Sequence, residues 1–135
     1  MQRWQTSMLH KIIVEIPNLQ NLVLELDDAT TPNTVSAFLQ KLPFELKANV
    51  WGKEIYTEPA PFSAESENAK SVVNLYDVAF WPPGKAMCIF YGPTPISTKD
   101  EIRPYSPVNV IGRVVEPNIG DVSGFKGRIL KFTKS

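Results

Sequence analysis

Apolar residues fall along this chain in short alternating runs separated by prolines and polar turns. In "HKIIVEIPNLQNLVLELDD", Ile13 and Glu15, then Leu22, Leu24 and Leu26, alternate with neighbours of the other kind, the period of half-buried strands. "PNLQN" supplies turn residues between them, so the two runs predict a hairpin. The period changes in "TTPNTVSAFLQKLPF". Val35, Phe38, Leu39 and Leu42 share one helical face, Thr31 stands as N-cap, Pro32 suits the first helical position, and Pro43 ends the run.

Strand character then returns. "ELKANVWGKEIYTE" reads as strand, turn and strand, with Gly52 and Lys53 at the turn. "PAPFSAESENAKS" is a polar surface loop. "VVNLYDVAFW" and "AMCIFYG" are strands, the second an unbroken apolar run of the kind covered on both faces. "VNVIGRVVE" is a strand in which Gly112 marks a bulge or a close backbone approach. "RILKFTK" closes the chain as a strand. Many short strands, one good helix and 12 prolines placed between strands predict a mainly β protein, a closed barrel with one capping helix. Residues 1–9 are expected to be a flexible N-terminus and residues 10–135 one barrel domain.

One stretch does not fit a plain barrel. "DVAFWPPGKAMCIFYGPTP", residues 77–95, crowds Phe80, Trp81, Phe90 and Tyr91 among Pro82, Pro83, Pro93 and Pro95. Pro82 and Pro83 each fix a φ angle, and Gly84 is expected to supply the reversal. A stiff turn presenting an indole can wall a pocket, because little freedom remains to be lost when a ligand docks. The same rings could instead plug the barrel end, Phe80 and Trp81 together. The binding reading needs them to meet around an open hollow of the barrel.

Composition narrows the function classes. Lys plus Arg and Asp plus Glu each number 14. That balance argues against a nucleic-acid partner, which calls for surplus cations. No run approaches the ~20 apolar residues of a membrane span, and the start lacks a secretory leader's apolar core. The one cysteine, Cys88, forbids an internal disulfide and reads as a small buried hydrophobe. With one histidine, His10, metal ligation is not expected, and no cofactor is implied. The chain reads as a cytoplasmic protein.

Longer motifs add a resemblance. "TPNTVSAFLQKL" resembles the first helix of cyclophilins, and "FYGPTP" and "VNVIGRVVEP" are similar to later segments of that family in the same order. The match is closer to a small, atypical prokaryotic branch of cyclophilin-like proteins. The shared motifs are Trp51–Tyr56, Asp77–Ala86, Gly92–Pro95 and Val108–Gly112, and the resemblance covers nearly the whole chain after Lys11. It implies the cyclophilin barrel. It does not imply the isomerase machinery: the family's Phe-His-Arg and Met-x-Gln-Gly-Gly strands are missing, no arginine lies between Arg3 and Arg103, and "ISTKDEIRPYSP" replaces a family loop.

The candidate site follows from these readings. Trp51, Tyr56, Trp81 and Phe90 are expected to line a cleft for a small molecule or a short, proline-containing extended peptide. Glu54, Asp77, Asn109 and Thr94 would supply polarity. Glu54 sits among apolar residues, which would raise a carboxyl pKa; on a solvated strand face it would do nothing of the kind. Asp77 could act likewise or cap a turn. Asn109, inside an apolar strand, must find partners in backbone or ligand. The alternatives are a weak prolyl cis–trans isomerase, and a scaffold that self-associates as a homo-oligomer through its aromatic face.

Overall fold

The computed structural model describes residues 7–116 and 121–135. The expected N-terminal tail therefore lies, for residues 1–6, outside the described residues, as does the start of "PNIGDVSGFKG", residues 117–127, whose proline, asparagine and glycines predict a loop. The strands are β1 (Leu9–Glu15), β2 (Leu22–Asp27), β3 (Phe44–Trp51), β4 (Glu54–Thr57), β5 (Asp77–Trp81), β6 (Ala86–Phe90), β7 (Asn109–Glu116) and β8 (Ile129–Lys134), with helix α1 (Pro32–Lys41) between β2 and β3. They close into a barrel in the order β1-β2-β7-β5-β6-β4-β3-β8. Every paired neighbour is antiparallel. The mainly β class and the closed barrel with a helix are as the pattern predicts.

Alternation sends one face of each strand inward. Ile12, Val14, Leu22, Leu24, Leu26, Val78, Phe80, Met87 and Ile89 meet in one core, each 2% exposed or less. From α1, Val35 and Phe38 pack onto it. Phe38 meets Phe44 edge-on at 5.2 Å, Phe44 stacks on Phe132 at 5.0 Å, and Phe62 stacks on Phe80 at 4.9 Å. An eight-stranded barrel is just wide enough for side chains to fill it, and here they do. The expected internal hollow is absent.

Local details refine the sequence reading. Gly112 is a close approach: a Cβ there would sit 2.3 Å from the Glu25 carbonyl oxygen. The register also slips beside it, between Val78 and Ala79. The strand expected from Val72 begins only at Asp77. Thr31 flanks α1 but does not cap it with its side chain; its hydroxyl donates to the Val110 carbonyl at 3.0 Å. The cap comes from Glu67 instead. Its carboxylate accepts from the Asn33 and Thr34 amides at 3.0 and 2.9 Å and from the Thr34 hydroxyl at 2.7 Å. Burial works to raise the Glu67 pKa, but the Thr34 and Asn33 hydrogen bonds outweigh it and hold the group below its ordinary value.

Candidate functional site

Strand register builds the site on the outside of the barrel. Residues directly opposite one another on paired strands share a face. Trp51 stands opposite Glu54, Glu54 opposite Phe90, Tyr56 opposite Cys88, and Trp81 opposite Ala86. The inward residues of the same strands, Ile55, Ile89, Met87 and Phe80, belong to the core. So Trp51, Glu54, Tyr56, Cys88 and Trp81 form one outward patch across β3, β4, β6 and β5. Phe80 and Trp81, paired as plugs in the alternative reading, point to opposite sides because they are adjacent on one strand.

Two turns shape the rim. Gly52 holds φ +62° between β3 and β4, and a Cβ there would lie 2.8 Å from Pro95 and 2.9 Å from the Pro93 carbonyl oxygen. Only glycine suits both the angle and the space. In "WPPGK" the left-handed residue is Lys85, at φ +55°, not Gly84 as expected. Gly84 is small for another reason: a Cβ on it would fall 2.3 Å from the Trp81 ring. The indole folds back over its own turn.

Segment 92–108 crosses above the patch as a strap. The Thr94 hydroxyl donates to the Arg103 carbonyl, and Ser97 Oγ accepts from the Thr94 and Arg103 amides at 2.9 and 3.0 Å. Val73 bridges Ile102, and Lys70 bridges Val108. Trp81 Nε1 donates to Ser106 Oγ at 2.6 Å. Between these anchors Tyr105 stands 72% exposed. Its ring lies edge-on to Trp51 at 6.1 Å and to Trp81 at 5.8 Å.

Under the strap is a cleft of about 430 Å³. Trp51, Trp81, Tyr105 and Pro104 wall it, and Glu54, Tyr56, Ala86 and Cys88 lie at its floor. Glu54 is 5% exposed, and its Oε1 is buried with no hydrogen-bond partner. Burial pushes its pKa up from the ordinary 4.5 to about 7, with the Cys88 thiol pulling back. Burial, and then the Glu54 charge, push the Cys88 thiol well up, so it stays protonated. Near neutral pH the floor can thus lose or take a proton, and it can pair with an incoming donor. No Lys, Arg or His among the described residues lines the cleft. Among the described residues no three His, Cys, Asp or Glu side chains gather as a metal site.

Of the residues singled out from sequence, the structure brings Trp51, Glu54, Tyr56 and Trp81 together in this cleft. Phe90 lies beside Glu54 in the register but is fully buried, packed with Ala79 and Cys88. Asp77 opens β5 beyond the cleft, where its carboxylate accepts from the Asn74 amide at 2.8 Å; burial raises its pKa, while Asn74, Lys70 and Arg113 oppose the rise. Thr94 is an anchor of the strap. Asn109 is fully buried elsewhere. It donates to Thr34 Oγ1 at 3.0 Å and to the Glu65 carbonyl at 2.9 Å, and accepts from the Glu67 amide at 2.9 Å. Arg103 pairs with Glu101 at 2.9 Å. Tyr105 and Cys88 complete the cleft without having been assigned to it. The tyrosine's signal was present in "RPYSP", an aromatic beside prolines as in "WPPG".

The chain matches the "Cyclophilin-like" family model over residues 10–127. It is similar to a hypothetical protein of Archaeoglobus fulgidus known from its solution structure. The two share 37% sequence identity, and the match covers 97% of this chain and 98% of that one, with a TM-score of 0.79. No curated protein matches it.

Proposed function

The chain belongs to the cyclophilin-like family, and we propose that it uses the outer face of its barrel to bind a small organic molecule in the cleft under the strap. The observation that carries this reading is the cleft itself. Its volume, about 430 Å³, falls within the range of ligand pockets, and its wall is aromatic with one buried, unpartnered carboxyl at the floor. The walls are anchored rather than loose, which limits the ordering cost of binding. The strap favours a compact ligand over an extended peptide, since Pro104 and Tyr105 lie across the cleft.

Prolyl isomerisation draws no support from the site. The arginine that would donate toward a twisted prolyl nitrogen has no counterpart in the lining. A cytoplasmic place of work belongs to the same proposal; the buried free thiol of Cys88 suits a reducing compartment.

A thermal-shift screen of small organic molecules tests the binding role. A ligand at a hundred times its Kd adds about 2.7 kcal/mol to stability, a rise of several degrees in midpoint. The expected hits raise the midpoint of the wild type and not of Trp51→Ala. Should no compound move the wild type, the binding reading fails.

A further inference from the structure

Resting on that reading, we propose that the occupant is a small organic cation, an alkylated ammonium, with its charge seated among Trp51, Trp81, Tyr105 and the Glu54 carboxylate. Three features lead to this class. The first is the wall. Tyr105 stands at 68° to Trp51 and 90° to Trp81, so three electron-rich rings bound one space from different directions. Such rings attract a cation, the more strongly when the site is desolvated.

The second feature is the floor. Glu54 Oε1 is buried and accepts no well-formed hydrogen bond; its one neighbouring donor is the weak, neutral Cys88 thiol, and among the described residues the lining supplies no Lys, Arg or His to neutralise it. An unpaired buried carboxylate is costly, and a cation placed against it relieves that cost. The other unpartnered buried atom, the Tyr91 hydroxyl oxygen, belongs to a residue of the barrel core and not of the cleft. The third feature is what the lining lacks. A primary ammonium brings three N–H donors, but the Thr57 hydroxyl in the lining already accepts from the Met87 amide at 3.0 Å and donates to the Glu58 carbonyl at 2.8 Å, which leaves it one lone pair to offer. An ammonium whose hydrogens are replaced by alkyl groups asks for fewer acceptors and offers more surface to the rings.

The titratable groups facing Glu54 are the Cys88 thiol from β6, the Tyr56 phenol from β4 and the Tyr105 phenol from the strap; β3 and β5 present only Trp51 and Trp81. None of the facing groups is cationic. The carboxylate, at about 7 in the empty protein, must be ionised to pair. Affinity for a permanent cation therefore rises about tenfold from pH 6 to pH 8, following the ionised fraction.

Titration calorimetry on the full chain at pH 8 compares three probes of like shape: choline, the neutral 3,3-dimethylbutan-1-ol and the anionic 3,3-dimethylbutanoate. Choline is expected to bind about tenfold or more tightly than the alcohol, and butanoate least. Glu54→Gln should reduce the preference to what the rings supply and flatten the pH profile while keeping a wild-type unfolding midpoint or better. Tyr105→Ala, at an exposed position, should weaken choline without unfolding the protein. If the alcohol equals choline, the cation is refuted and the small-molecule reading stands; if Glu54→Gln keeps the full wild-type preference, the seating of the charge against Glu54 is refuted. If none of the three binds while compounds from the thermal screen do, the cation is likewise refuted. If neither set binds, both readings fall. A trimethyllysine peptide that outbinds choline would overturn the free small cation in favour of a protein side chain.

Discussion

Asn109 and Glu54 are both buried polar side chains on strands of one barrel, 0% and 5% exposed, and they have opposite surroundings. The Asn109 amide spends both donor and acceptor capacity on Thr34, Glu65 and Glu67. It ties β7 to α1 and to the loop before β5. Glu54 has an oxygen with nothing to accept from and a cavity in front of it. Burial alone does not distinguish them; the list of partners does. A buried group that is fully paired fixes structure. A buried group left unpaired is a cost the fold carries, and next to a cavity that cost is a reason for a ligand to bind.

The largest effect should come from the paired residue. Asn109→Leu strands the Glu67 amide and the Glu65 carbonyl and removes the Thr34 contact. Urea unfolding should show a loss of about 4 kcal/mol; a loss under about 1 kcal/mol would mean that the network is ornamental. The next effect has the opposite sign. Below pH 4.5 Glu54 is protonated in both folded and unfolded chains. Between 4.5 and about 7 the folded state keeps a proton that the unfolded chain has lost, so stability falls as pH rises, and above about 7 the loss is complete. Relative to wild type, Glu54→Gln should therefore gain about 3 kcal/mol between pH 4.5 and pH 8. A pH-independent difference between the two proteins would show that the carboxyl is solvated or paired. The smallest effect is on stability at the rim: Tyr105→Ala should change unfolding free energy by no more than about 0.5 kcal/mol, because the side chain is mostly exposed. A larger loss would make the ring a structural brace of the strap.

Strand existence was legible because alternation is a local signal: Leu22, Leu24 and Leu26 turn inward as their spacing requires. The face of β6 was not. All five of its residues are buried, one set by the barrel core and the other by covering loops, so no alternation marks Cys88 as outward. The raised carboxyl at Glu54 could be anticipated from its apolar neighbours, and its missing partner could not. Thr31 takes the N-cap position of α1 as its place in the sequence predicts, but the carboxylate that holds the first amides belongs to Glu67, which is remote in sequence and arrives only with the fold. Gly84 looked like a reversal point because sequence does not reveal that a ring will lie where its side chain would be. The cleft was sought inside the barrel, yet interior aromatics had no room to leave one.

Closure of the ring also constrains who can approach. Among the described residues each strand is flanked on both sides, so this part of the sheet presents no free edge to which another chain could add a strand. Main-chain augmentation, a common way for a sheet to capture a peptide, is closed to this molecule. On the proposed reading, recognition passes through side chains, and that leaves selectivity to the few rings and the one acid gathered beneath the strap.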